Sequence, residues 1–452
     1  MRRRTLLAAL LTLALLLSTV APVAAAGTAP EPEWFVDEST LPFDPLPGFD
    51  DAQREWGVVD GAGYRIEVPA AWNGALVMWA HGYRGEGPEL TVDNHPLRQY
   101  LLANGFAWAA SSYSSNSYNA GDGVRDTYRL VRLFRERFGA PGTTYITGIS
   151  MGGHVTARSM EQHPRTYDGA LSLCGAVGDY ELFDFFLDYN VAAQQLGLGE
   201  SRFPVGDDAT YIGRDVPAIK ANLEAAPGSW PAALNADGEA FKQLVELRSG
   251  GDRPNFDEAW NYWNSIPSDA GDGNFLFALG LGDGTVAGKP GTVPDNIGVK
   301  YQLDLDPALS LREAKFNLRI ERVRGDWLLR HSPRLNPIPV VTGRIEAPVL
   351  TLHNLGDLFV PFHNEIAYAR DVARRGNADL LVQRAIRGVG HCDFTPTELV
   401  TAFADLVTWV EDGARPAGDV TRDPAVVAAP DYGCRFTDFA TPGGHQSATP
   451  CD

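Results

Sequence analysis

The sequence is short of positive charge and of cysteine, and it has almost no long apolar runs. Lysine and arginine number 38 against 57 aspartates and glutamates, for a formal net charge of −19. A surface of that sign repels nucleic acid and anionic membrane, and no basic patch interrupts it. There is no CxxC pair and no HExxH, so neither a redox centre nor a metal site is indicated. No cofactor is expected. Past the first residues, no stretch approaches the roughly 20 apolar residues that a membrane span needs.

The amino terminus reads as an export signal. Arg2, Arg3 and Arg4 precede an apolar run, Leu6 to Leu17, broken only by Thr12, and Ala24 to Ala26 offer small residues for cleavage. Residues 1–26 are therefore expected to be removed, leaving a secreted protein with no stable membrane insertion and three fewer positive charges. Arg3-Arg4 leaves a twin-arginine route open. The four cysteines, Cys174, Cys392, Cys434 and Cys451, are an even set. In an exported chain they suggest two disulfides, with three possible pairings. Cys434 and Cys451 share a Gly/Pro-rich tail and could close a local loop, which would leave Cys174 with Cys392. Buried free thiols are the alternative.

Residues 27–50 read as an extended leader rich in Pro, Asp and Glu. Over 51–178 short apolar runs appear at Tyr64–Val68, Ala75–Ala80, Phe106–Ala110, Thr143–Thr147 and Asp168–Leu173. Gly123 to Phe138, lying among them, has helical spacing. Strands alternating with helices predict an α/β fold with a mostly parallel sheet covered on both faces. The alternation stops at 179–345, which is aromatic-rich and irregular, and resumes over 346–412 with strands at Ala347–His353 and Leu380–Arg387. Helices are expected at Ile366–Arg374 and Thr397–Trp409, with Pro396 suited to a first turn. One sheet carrying a large cap insertion accounts for this better than two domains, and 413–452 form a tail.

The strongest local signal is Gly148-Ile149-Ser150-Met151-Gly152, set between a strand and a helix. A G-x-S-x-G in that setting is a nucleophile elbow, with Ser150 on a sharp turn whose flanking positions leave no room for side chains. A serine nucleophile needs a base, and the base needs an orienting acid. His391, in a Gly-rich loop just past a late strand, is the base. His81, His95, His154, His163, His353 and His363 fit worse, and His81 reads as structural. Asp357, just past the strand ending at His353, is the acid; Asp179 is the runner-up, and Asp393 is too near His391 in sequence. The oxyanion hole is assigned to the backbone N–H groups of Met151 and of Tyr83, in the loop His81-Gly82-Tyr83 after an early strand.

On His81-Gly82, Gly148 to Gly152, Gly356-Asp357 and Gly390-His391, the chain resembles the α/β-hydrolase superfamily over Tyr64–Val177 and Ala347–Glu411. The resemblance implies the α/β-hydrolase fold and the triad order Ser, Asp, His. His391-Cys392 is similar to the tannase and feruloyl-esterase family, whose members tie a cysteine before the serine to the cysteine after the histidine. Here Ile149 precedes the serine. The expected activity is hydrolysis of small or oligomeric carboxylic esters through an acyl-enzyme, with cap aromatics lining the pocket. A secreted aminopeptidase-like enzyme, with Glu181, Asp184 and Asp188 binding an amine, is the alternative. A silent binding protein on the same fold is a more distant one.

Overall fold

The computed structural model describes residues 34–288, 291–331 and 337–451. The expected signal segment lies outside them. The main sheet has eight strands: β1 (Gln53–Val59), β2 (Ala62–Val68), β3 (Ala75–Ala80), β4 (Ala107–Ser111), β5 (Thr143–Ile149), β6 (Gly169–Leu173), β7 (Val349–Asn354) and β8 (Leu381–Ile386). Their spatial order is β1-β2-β4-β3-β5-β6-β7-β8. The pairs β1–β2 and β2–β4 are antiparallel and the rest are parallel. Every residue of β3, β4, β6, β7 and β8 is buried. Parallel strands covered on both faces need no alternation, which is why they read as unbroken apolar runs. β1 is the exception. It begins Gln53-Arg54-Glu55, lies at the sheet edge and stays partly exposed, so it carries no apolar signature.

Among its helices, in chain order, are α1 (Ala120–Phe138), α2 (Met151–Gln162), α3 (Glu181–Gly197), α4 (Ala236–Ser249), α5 (Phe256–Trp263), α6 (Leu311–Arg319), α7 (His363–Arg374) and α8 (Pro396–Asp412). Helices α1, α2 and α7 cover one face, where Val131, Ala157 and Tyr368 meet Leu76, Met78 and Ile146. On the other face Phe403 and Leu406 of α8 meet Val77, Trp79 and Tyr145. Helix α8 starts as its sequence demands. Thr395 and Glu398 form a capping box, Pro396 occupies the first turn, and Gly413 ends the helix at φ +72°.

Between β6 and β7 the chain carries α3 to α6 and several shorter helical segments joined by irregular stretches, where the sequence suggested irregular structure alone. Helix α3 explains the difference: Leu182, Phe185, Phe186 and Tyr189 are buried on it, but so are Asp184, Asp188, Asn190 and Gln194. A helix buried nearly all round loses its polar stripe and with it the period a sequence displays.

Both ends of the described chain are tied in. Phe35–Val36 pairs with Glu89–Leu90, and Leu41 and Phe43 pack into the core beside Trp108. The tail runs along β8, where Asp419 N–H donates to Gln383 O (2.7 Å) and Asp419 Oδ2 accepts from Ala385 N–H (2.8 Å).

Candidate active site

The sheet order reverses at β3, whose successor β4 lies on one side while β5 lies on the other. Such a switch point opens a crevice at the carboxyl ends of the strands. The register Ala80↔Gly148 places the loop after β3 beside the turn after β5. A Cβ on Gly82 would sit 3.1 Å from Ser150 Cβ, so the backbone at Gly82 passes close to the serine. On the far side, Leu173↔Leu352 and Asn354↔Ile386 align the ends of β6, β7 and β8. The loops carrying Asp357 and His391 therefore leave the sheet side by side.

Ser150 lies between β5 and α2 with φ +59° and ψ −121°, a conformation that is strained for a residue with a side chain. The surroundings fix it. Its N–H donates to Leu173 O (2.9 Å), and its carbonyl accepts from the N–H of Gly153 (2.9 Å) and of Ala176 (3.2 Å). Both flanking glycines are required, because a Cβ at Gly148 would lie 2.1 Å from Gly152 O and one at Gly152 would lie 2.0 Å from Ala80 O. This strand, strained serine and helix, standing at the switch point of that sheet, decides the architecture.

The chain has the α/β-hydrolase fold.

No family model matches the chain. Among curated proteins it is similar to the o-phthalyl amidase of Xanthobacter agilis, at 22% identity over 434 residues, covering 85% of this chain and 93% of that one. Among solved structures it is similar to an esterase from Aspergillus oryzae, with TM-score 0.46 and 15% identity over 81% of this chain and 80% of that one. Feruloyl esterase B of the same organism gives TM-score 0.44 and 14% identity, over 82% and 81%.

Within this α/β-hydrolase frame, three of the residues singled out from sequence meet. His391 Nε2 is 2.8 Å from Ser150 Oγ, and His391 Nδ1 is 2.6 Å from Asp357 Oδ2. Asp357 is wholly buried, and its other oxygen accepts from Phe359 N–H (2.8 Å) and Val360 N–H (2.9 Å). That leaves one oxygen aimed at the imidazole. A hydroxyl, imidazole and carboxylate so linked can pass the serine proton to the ring and stabilise the cation that results. Met151 is the first residue of α2, so its N–H has no carbonyl one turn back to bond. Tyr83 presents its ring to the same crevice, and its hydroxyl donates to Glu86 (2.9 Å).

The remaining candidates lie elsewhere. The Asp179 carboxylate accepts from the N–H of Tyr180 and of Val341, and burial pushes its pKa up to about 8. Asp393 accepts from Gln446 N–H (2.7 Å). His81 is buried against Tyr113 with centroids 3.9 Å apart, and burial pulls its pKa down to about 3. His154 lies between Tyr118 Oη and Pro339 O.

Two disulfides are present, Cys174–Cys392 and Cys434–Cys451. The first ties the residue after His391 to the end of β6. Among the described residues, Cys174, His391 and Cys392 are the one set close enough to hold a metal, but both sulfurs are committed to that bond.

A cavity of about 550 Å³ opens beside Ser150. Tyr118, Phe183, Phe186, Leu279 and Phe359 form much of its wall, with Glu86 and Asp208 also lining it. Of the insertion's aromatic residues that the structure describes, Phe183 and Phe186 line it. Trp230 and Trp260 pack on one another and on Phe241. Phe359 was missed in the sequence. Its ring stands edge-on to the His391 imidazole, 5.1 Å away, and its place two residues after the acid was the available signal.

Proposed function

We propose that this chain is a secreted serine hydrolase that cleaves carboxylic esters through an acyl-enzyme. The observation that carries the reading is the 2.8 Å contact of His391 Nε2 with Ser150 Oγ, with Asp357 on the opposite ring nitrogen. His391 takes the serine proton as Oγ attacks the carbonyl. The N–H groups of Met151 and Tyr83 hold the oxyanion, His391 returns the proton to the leaving group, and water then repeats the sequence to release the acid. The aromatic wall of the cavity favours a bulky apolar or aromatic group on the substrate. Two disulfides accord with an oxidising, extracellular setting.

Amide cleavage is the second reading, and the similarity to an amidase across most of both chains favours it. An aminopeptidase-like version has less support. Glu181, Asp184 and Asp188 are each paired with an arginine, Arg370, Arg330 and Arg248 respectively, and none of the three lines the Ser150 cavity.

A fluorophosphonate probe tests the core of the proposal. The mature protein should label, and Ser150→Ala should not. Labelling that persists in Ser150→Ala would remove the serine from its role, and an unlabelled wild type would favour the silent binding protein. A panel of p-nitrophenyl esters against p-nitroanilides then separates ester from amide preference.

A further inference from the structure

The loops that carry Asp357 and His391 are joined to each other by the sheet and joined again by the insertion. The sheet side is conventional. Gly356 N–H donates to Gly388 O (2.9 Å), and the Asn354 amide exchanges two hydrogen bonds with the Asp393 backbone, at 2.9 and 3.0 Å. On the insertion side Arg253 Nε donates to Leu355 O (2.7 Å), and one further group reaches both loops. Trp263, the last residue of α5, points its indole N–H between two carbonyls and donates to Gly356 O (2.9 Å) and Val389 O (2.8 Å). Gly356 immediately precedes Asp357, and Val389 lies two residues before His391. One donor thus spans the backbone on both sides of the 2.6 Å Asp357–His391 contact.

Helix α5 is pressed onto this junction. One turn before Trp263, Ala259 lies so close that a Cβ on Gly356 would come within 3.0 Å of its own Cβ. Trp263 is almost completely buried, and its ring packs on Phe275 and Phe359. Phe359 in turn meets the His391 ring. Buried carbonyls accept hydrogen bonds or carry a desolvation penalty, so the indole cannot leave without freeing both loops to seek other partners.

We propose that Trp263 is a positioning residue of the reaction: its indole N–H sets the distance between the loops of Asp357 and His391 and couples the insertion to the triad. This rests on the serine hydrolase reading. Displacement of a catalytic group by about 1 Å reduces rate by about 100-fold, so the effect belongs in kcat and leaves ground-state binding little changed. The same helix supplies a control. Trp260 is also buried, and its indole N–H donates to Pro231 O (3.1 Å), away from both loops.

The experiment compares the mature wild type, Trp263→Phe and Trp260→Phe on a p-nitrophenyl ester. A further protein carries benzothienylalanine at position 263, which keeps the indole shape and lacks the N–H. Trp263→Phe and the benzothienyl protein should lose about 10- to 100-fold in kcat with KM within about threefold. Both should also lose the far-downfield proton resonance of His391 Nδ1–H. Trp260→Phe should unfold at a lower temperature yet keep kcat within about threefold and retain the resonance. Wild-type kcat in the benzothienyl protein would overturn the inference, as would equal losses in the two phenylalanine variants. Neither result touches the underlying reading, which fails separately if the wild type does not react with the fluorophosphonate.

Discussion

Asp357 offers His391 one carboxylate oxygen and has the other occupied by the N–H groups of Phe359 and Val360. An amide in its place would have to turn its NH₂ toward one of two demanding neighbours. With the oxygen on the backbone donors, the NH₂ faces His391 Nδ1 and forces the ring into the tautomer that cannot accept the serine proton. Asp357→Asn should therefore fold normally and lose about 10⁴-fold in kcat. A variant that keeps a tenth of the wild-type rate would take Asp357 out of the mechanism.

Gly152 shows how little tolerance the elbow has. A methyl there would lie 2.0 Å from Ala80 O and 2.7 Å from His81 O, both backbone atoms that cannot swing aside. Gly152→Ala should cost about 3 kcal/mol of stability or more and abolish fluorophosphonate labelling. Gly87 has open space around its Cβ position, so Gly87→Ala should be close to neutral. Similar denaturant midpoints for the two variants would count against the elbow geometry.

The two disulfides should differ in what they stabilise. Cys174–Cys392 closes 218 residues and Cys434–Cys451 closes 17. Loop-closure entropy then assigns about 5 kcal/mol to the first and about 3 to the second. Replacing Cys174 and Cys392 by alanine should lower the melting temperature more than replacing the tail pair. It should also depress kcat, because the residue after His391 loses its anchor. A larger loss from the tail pair would contradict this account.

The sheet and the elbow around Ser150 were legible because each rests on a local rule, and His391 and Asp357 were singled out by their places just past the late strands. Buried parallel strands are apolar without interruption, and Gly148 and Gly152 are imposed by close backbone contact whatever the rest of the fold does. Three features were not legible, for one shared reason. The β1 strand is charged because it lies at an edge. Helix α3 is aperiodic because other parts of the insertion cover its polar face. The indole of Trp263 meets two loops that lie 93 and 126 residues away in sequence. All three depend on what comes to lie beside the segment, which no window of sequence contains.

His95 should make the fold acid-sensitive. Its Nδ1 accepts from Leu97 N–H (3.0 Å), its Nε2 lies 2.9 Å from Thr147 Oγ1, and burial pulls its pKa down to about 3. The folded ring stays neutral while the unfolded one gains a proton near its ordinary value of about 6.5. The stability it contributes is thus present above pH 6.5 and falls as pH drops from there toward 3. The limiting slope for one such group is about 1.4 kcal/mol per pH unit. His95→Asn, whose Oδ1 can replace the Nδ1 acceptor, should show a shallower loss between pH 6 and 4 in denaturant titrations. An unchanged slope would mean that His95 is protonated in the fold.

Phe183 tests the link between cavity and specificity. Its ring lines the space beside Ser150 and packs edge-on to Tyr118 at 5.1 Å, so it forms wall without touching the triad. Truncating it widens the cavity and removes apolar contact from any bulky substrate group, while a short acyl chain would never have reached it. Contacts of this size change discrimination by about 10- to 200-fold. Phe183→Ala should raise KM for aromatic or long-chain p-nitrophenyl esters by about tenfold and leave kcat/KM for the acetate within about twofold. The ratio of the two substrates is the measurement that matters, because general damage to the fold would depress both together. A uniform fall across the ester series would place substrate recognition elsewhere than in this aromatic wall.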